Sequence, residues 1–278
     1  MSEIKTTITL NTGAEMPLLG LGVYKATGEN EVEQAIVNAA DIGYRLIDTA
    51  SVYKNEEGVG IGIRSSKVSR KDLFVTTKVW NNAQRVGDIE GAFNRSLERL
   101  KLDYVDLYLI HWPVPGCYMD TWHEMEQIYR SGRAKAIGVS NFSMLNLAEL
   151  AENSQIVPAV NQIEFHPLWN RSELVEYCQT RGIAVQAYAP LARGAYLDNP
   201  VLQPIAEKYN RSTAQIGLRW SIQKGVAVIP KSTRVDRILS NSQIFDFSLS
   251  PEEMSLIDNL NEDYRSSGIP EDMQDVIL

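Results

Sequence analysis

The chain has 278 residues, 44% hydrophobic and 22% charged, with a formal net charge of −8; this is the size of one large domain with a sizeable core, or of two small ones. The acidic balance excludes a nucleic acid or an anionic membrane as a global partner, and no run approaches the roughly 20 apolar residues of a membrane span. The opening Met1-Ser2-Glu3-Ile4-Lys5 lacks the apolar core of a signal peptide, so a soluble, cytoplasmic protein is expected. Cys117 and Cys178 form no C-x-x-C pattern, and His111, His123 and His166 lack ligand spacing, so neither a disulfide framework nor a metal site is expected.

Residues 6–16 read as a small hairpin. From there, strand-like apolar runs alternate with amphipathic stretches. Residues 18–23 form the first run, after which Val32, Ala35, Ile36 and Ala39 fall at i, i+3, i+4 and i+7, one apolar helix face. A short strand ends at Leu46 and Ile47, and a helical pattern begins near Glu56. The run 73–78 precedes a helix carrying Ile89, Phe93, Leu97 and Leu100; the run 105–111 precedes one carrying Trp122, Met125 and Tyr129; and 136–139 precedes Met144, Leu147, Ala148 and Ala151. Further strands are expected at 159–163, 183–188 and 226–229, with an extra helical segment at 200–209 and a helix at 213–224 before the last. Their continuous apolar character fits strands covered on both faces. A final helix opens at Ser250 as N-cap, with Pro251 as first residue and Glu253 completing a capping box.

The strand tips fall at Asp48, Lys78, His111, Ser140, Gln162, Tyr188 and Lys231, about 30 residues apart, the length of a strand-helix-strand unit. Eight such units without a break in composition predict an α/β chain folded as one closed (β/α)8 TIM barrel over 1–278. A short N-terminal hairpin and an extra C-terminal helix complete it, and the chemistry is expected at the C-terminal strand ends. The rival, a doubly wound open sheet, usually begins with G-x-G-x-x-G. Neither Gly20-Leu21-Gly22 nor the alternating Gly58, Gly60 and Gly62 makes that loop.

Three of the tip residues and one loop residue have complementary chemistry. Tyr53 follows Asp48 in the loop after the strand, and tyrosine is a poor acid near neutral pH because its reference pKa is about 10. A nearby ammonium such as Lys78 lowers that value, and Asp48 keeps the lysine charged despite burial. His111 can hold a substrate oxygen in line. Each residue alone has a plain alternative as a helix cap, a solvated strand end or core. Together, at successive strand ends, they point to protonation of an oxygen.

Gly43-Tyr44-Arg45-Leu46-Ile47-Asp48-Thr49-Ala50 with Tyr53, Asn55 and Glu56, then Thr76-Thr77-Lys78-Val79-Trp80, Asp106-Leu107-Tyr108-Leu109-Ile110-His111-Trp112-Pro113, Ile137-Gly138-Val139-Ser140-Asn141-Phe142, Asn161-Gln162-Ile163-Glu164 and Ile229-Pro230-Lys231-Ser232 through Arg237 and Asn241 resemble the aldo-keto reductases over nearly the whole chain. The similarity is greatest to the microbial branch of 2,5-diketo-D-gluconate reductases and protozoan prostaglandin F synthases. The resemblance implies that Tyr53 gives its proton to a carbonyl oxygen while hydride arrives from NADPH, with Lys78 and Asp48 tuning the tyrosine and His111 orienting the carbonyl. It places Ser140, Asn141 and Gln162 on the nicotinamide carboxamide and Tyr188 against the ring. Gly22 and Leu191 join the cofactor site, and Asn241 touches adenine. Lys231, Ser232, Thr233 and Arg237 match a 2′-phosphate pocket, which their own chemistry also suits, so NADPH/NADP+ is expected over NADH.

Tyr24, Trp80 and Trp112, with His111, match the substrate pocket, suited to small-molecule carbonyls such as 2-oxoaldehydes, diketones or sugar-derived carbonyls. Ala192 and Arg193 depart from the branch's pattern after the stacking aromatic. The His166-Pro167 pair reads as structural. A short 113–120 loop and a modest tail after Tyr264 predict a fairly open site, and a monomer is expected. Two alternatives stand beside this reading: a Schiff-base aldolase using Lys78, and a non-catalytic NADPH-binding member of the same fold.

Overall fold

The computed structural model describes residues 6–273. Eight parallel strands run in sequence order: β3 (Gly20–Gly22), β4 (Leu46–Asp48), β5 (Phe74–Val79), β6 (Leu107–Ile110), β7 (Ile137–Ser140), β8 (Val160–Glu164), β9 (Ala184–Tyr188) and β10 (Val226–Val228). Parallel bridges Leu19 to Val228 and Gly22 to Lys231 join the first strand to the last and close the barrel. The antiparallel hairpin of β1 (Thr7–Thr9) and β2 (Glu15–Pro17) lies across the end where the strands begin. There Leu10 and Met16 pack on Leu46, Phe74, Leu107, Ala159 and Ala184, as the inward layers of a filled barrel require.

The surrounding helices are α1 (Glu31–Ile42), α2 (Glu56–Ser65), α3 (Asn81–Val86), α4 (Ile89–Leu100), α5 (Tyr118–Arg130), α6 (Met144–Asn153), α7 (Ser172–Gln179), α8 (Leu202–Tyr209), α9 (Thr213–Gln223), α10 (Val235–Ser242) and α11 (Pro251–Asp258). The buried stripes of three helices follow the apolar spacing: Val32, Ala35, Ile36 and Ala39 in α1, Phe93 and Leu100 in α4, Trp122 and Met125 in α5; in α6 the stripe is Leu147 and Leu150 instead, and Met144 and Ala151, expected on it, are exposed. Burying each such large side chain contributes about 1.5–3 kcal/mol. Ser143, Ser212 and Ser250 each close a capping box, the last with Glu253 as the sequence predicts. In α2, a Cβ on Gly60 would sit 2.1 Å from the Leu100 carbonyl oxygen; the glycine lets α2 lie directly on the end of α4.

Two helices were not anticipated. α3 carries no apolar stripe, with Val86 exposed, and α7 follows Arg171, which has φ 41° and makes no side-chain cap. Among the described residues no helix is long and apolar enough to cross a membrane.

Candidate active site

Asp48, Lys78 and His111 lie at or just past the C-terminal ends of β4, β5 and β6. Lys78 Nζ donates to Asp48 Oδ1 at 2.6 Å and to the Thr49 carbonyl at 2.9 Å, with the two side chains 0% and 2% exposed. The chain then turns through a single 3₁₀ turn, Ser51–Tyr53. Ser51 Oγ donates to the Lys78 carbonyl at 2.9 Å. Asn55 reaches back to the Val23 carbonyl at 2.9 Å and to Thr49 Oγ1 at 2.9 Å. These bonds hold Tyr53 over the ion pair, with Lys78 Nζ 5.1 Å from its ring centroid.

The rings of Tyr53 and His111 meet edge-on at 5.7 Å, and Trp80 meets His111 edge-on at 5.0 Å. Tyr24, half exposed, lies 4.9 Å from Tyr53. All four predicted polar residues therefore share one pocket with two of the three predicted aromatics. Trp112 is buried beside them against Val114 and Met273, its carbonyl accepting from Gln84 Nε2 at 3.0 Å.

Burial, then the Asp48 charge, pushes the Tyr53 phenol well above its ordinary value of 10. The net shift is opposite to the lowering expected from Lys78: desolvation and the Asp48 charge dominate, while the ammonium is also engaged by Asp48 and Thr49. Burial also draws the Lys78 ammonium down, against the opposing pull of Asp48. Burial, then the Lys78 charge, holds His111 well below 6.5, so its ring is neutral. His111 Nδ1 is buried without a hydrogen-bond partner.

On the next strands Ser140 Oγ donates to the Gln162 carbonyl at 2.8 Å, and Asn141, at φ 62°, donates to Ser140 Oγ at 3.1 Å and to the His111 carbonyl at 3.0 Å. Asparagine is among the few residues that tolerate this left-handed backbone. Tyr188 Oη donates to Asn141 Oδ1 at 2.7 Å, and Gln162 Nε2 donates to Asp48 Oδ2 at 2.8 Å. The predicted carboxamide and stacking residues thus adjoin the Asp48–Lys78 pair.

Lys231, Ser232, Thr233 and Arg237 form a second cluster after β10. Gly22 links the two clusters: it bridges Lys231, and a Cβ there would sit 2.7 Å from the Ile229 carbonyl oxygen. Lys231 and Arg237 are exposed, and neither enters an ion pair among the described residues, whereas Arg234 is held by Asp236 at 2.7 Å. Thr233 bonds the Glu31 carboxyl, which the Gly28 N–H and then Thr233 hold below the usual range. Asn241 is buried on α10. Leu191 packs on the core just before a turn in which Ala192 and Arg193 have φ 46° and 52° and Arg193 faces solvent. Two exposed cations, Lys231 with Glu31 in its field, beside two hydroxyls at the start of a helix are a donor set that fits a phosphate monoester.

The tail is less open than its length suggests. Glu164 Oε1, at the tip of β8, accepts from the backbone N–H of Ser266 at 2.7 Å and of Ser267 at 3.1 Å, and from Ser266 Oγ; His166 Nε2 lies 3.1 Å away. Burial raises the Glu164 carboxyl, but these bonds outweigh it and leave it below the usual range. Farther on, Asp272 meets Arg85 at 2.6 Å, and Ile269 and Met273 pack beside Trp112. Residues 266–273 form a strap along the Trp112 side of the mouth, while the Tyr24 side stays open. The sequence reading missed Glu164 as the anchor; its signal was a carboxylate at the tip of a fully buried strand.

A (β/α)8 barrel whose mouth gathers a buried Asp–Lys pair, a tyrosine and a histidine defines a class of barrel enzymes. Within that class this chain belongs to the Aldo/keto reductase family, whose profile matches residues 18–262, and it is an oxidoreductase. It is 51% identical over 272 residues to a glyoxal reductase of Bacillus subtilis (strain 168), covering 98% of this chain and 99% of the relative. It is 48% identical over 267 residues to a 9,11-endoperoxide prostaglandin H2 reductase of Trypanosoma cruzi (strain CL Brener), covering 95% and 94%. A crystal structure of a Bombyx mori aldo-keto reductase in complex with NADP superposes with a TM-score of 0.92 at 40% identity, covering 99% of this chain and 98% of that one. The family uses NADPH.

Proposed function

We propose that this single barrel domain reduces aldehydes and ketones to alcohols with NADPH, and that short 2-oxoaldehydes and related small dicarbonyls are its best substrates. The observation that carries the reading is the placement of Tyr53 and His111 over a buried Lys78–Asp48 pair held at 2.6 Å. Ser140, Asn141 and Gln162 would hold the nicotinamide carboxamide, Tyr188 the ring face, Lys231, Ser232, Thr233 and Arg237 the 2′-phosphate, and Asn241 the adenine. Gly22 and Leu191 would border the cofactor. When bound, NADPH supplies hydride to the carbonyl carbon.

Tyr53 Oη donates the proton to the carbonyl oxygen. Its raised pKa keeps the phenol protonated until that oxygen gains negative charge. Lys78 then faces the tyrosinate and stabilises it. His111 is neutral, and a proton on its partnerless Nδ1 would be buried unsatisfied; the proton therefore sits on Nε2, which donates to the same carbonyl oxygen and positions it. Lys78 is a poor Schiff-base nucleophile here, because its ammonium is already bound by Asp48 and Thr49.

Tyr24, Trp80 and Trp112 offer flat apolar walls, and the strap narrows one side, which favours compact carbonyls. The 51% identity to a glyoxal reductase supports the same class. The test is NADPH oxidation across glyoxal, 2-oxoaldehydes, diketones, sugars and quinones. The reading expects the highest kcat/KM on the short dicarbonyls and a lower one with NADH. No NADPH oxidation with any carbonyl would reject it.

A further inference from the structure

Behind the site the barrel interior holds a second glutamine. Gln186 sits in the middle of β9, fully buried in an apolar strand, and its Oε1 accepts from Gln162 Nε2 at 2.6 Å. The same Gln162 nitrogen donates to Asp48 Oδ2 at 2.8 Å. Asp48, ion-paired with Lys78, presents only acceptors on that side, so the edge of the Gln162 amide facing it must be nitrogen. That nitrogen carries two N–H groups. Asp48 takes one and Gln186 takes the other.

The amide nitrogen is thereby fully committed to the interior. The Gln162 carbonyl oxygen, Oε1, accepts from no donor among the described residues. Gln186 is oriented in turn, because its Nε2 lies 3.7 Å from the Sδ of Met16, a weak acceptor on the hairpin that closes the far end of the barrel. A chain of contacts runs from Met16 through Gln186 and Gln162 to Asp48 and Lys78.

We infer that Gln186 is a positioning residue for reduction: Asp48 fixes which edge of the Gln162 amide is nitrogen, and Gln186, by occupying the second N–H, fixes the amide plane and keeps Oε1 aimed at the mouth as an acceptor. On the proposed function, on which this inference rests, that acceptor holds the amino group of the nicotinamide carboxamide and so sets how the ring meets the substrate. Without an acceptor at position 186 the Gln162 N–H would be left buried and unsatisfied, and the amide would rotate to find another partner.

The experiment compares Gln186→Met, which keeps length and volume but removes the acceptor, with Gln186→Glu, whose carboxyl is kept in the neutral form by burial and the nearby Asp48 and still presents an acceptor oxygen. Loss of one oriented hydrogen bond of this kind is expected to lower kcat/KM for NADPH about tenfold in Gln186→Met. NADPH deuterated at the transferred position should show a larger primary isotope effect in that variant, with the thermal midpoint held. Gln186→Glu should return both quantities to near the wild-type values. Wild-type kinetics in Gln186→Met would overturn the inference, and so would equal impairment in both variants. Should Gln186→Met fail to fold, Gln186→Glu still decides: a wild-type isotope effect and NADPH affinity are expected, and loss of either would overturn the inference. Failure of the wild-type protein to oxidise NADPH with any carbonyl is a separate result, and it removes the proposed function itself.

Discussion

Lys78 and Asp48 form a closed ion pair, Nζ to Oδ1 at 2.6 Å, on adjacent strands of the barrel and sealed from solvent. The desolvation of two such charges is repaid only while both partners are present. Asp48→Ala is therefore expected to lose about 3–5 kcal/mol of stability by leaving the ammonium without its counter-charge, whereas Asp48→Leu combined with Lys78→Met should recover part of that loss but stay below wild type, because Gln162 Nε2 and the Thr49 carbonyl lose their buried partners. Denaturant unfolding measures both. A double variant no more stable than Asp48→Ala would mean that the pair is not the unit.

The pH dependence follows from burial. His111 is held well below 6.5 and Tyr53 well above 10, so each keeps one protonation state through the neutral range. At saturating NADPH, kcat/KM for reduction should be flat as pH falls through 6.5, and an alkaline limb should belong to Lys78, whose pKa burial draws below 10.5. The depressed histidine also predicts a stability term present above pH 6.5 and lost as pH falls below it, because the unfolded chain takes up the proton first. An acid limb in the rate centred near 6.5 would contradict this assignment.

The eight-unit period is readable in the letters because most of the buried parallel strands are largely apolar, with a polar residue at or just past the end where the barrel opens. Asp48, Lys78, His111, Ser140, Gln162 and Tyr188 were found that way. The strap was not, since residues 266–273 carry no periodicity and Glu164 meets Ser266 across 102 positions in the chain. Gln186 was passed over as one polar letter in an apolar strand. The direction of the Tyr53 shift depended on how deeply the phenol is buried and on where the Lys78 ammonium points, and neither has a sequence signature.

The Glu164 anchor has its own consequence. Glu164→Gln retains one acceptor oxygen where the carboxylate had two, so Ser266 and Ser267 lose charge-assisted bonds of about 1.5–3 kcal/mol each. KM for the carbonyl should rise more than kcat falls, and trypsin should cut after Arg265 faster than in the wild type. Unchanged KM and unchanged cleavage would show that the strap does not depend on this carboxylate.

The central claim is that the Tyr53 hydroxyl is the proton source, and single-turnover reduction of a 2-oxoaldehyde by the NADPH-loaded Tyr53→Phe variant tests it most directly. The account predicts NADPH affinity close to wild type, because the ring and its neighbours remain, and a hydride-transfer step slowed by about 10²–10⁴-fold. Transfer at near wild-type speed with NADPH bound would contradict it.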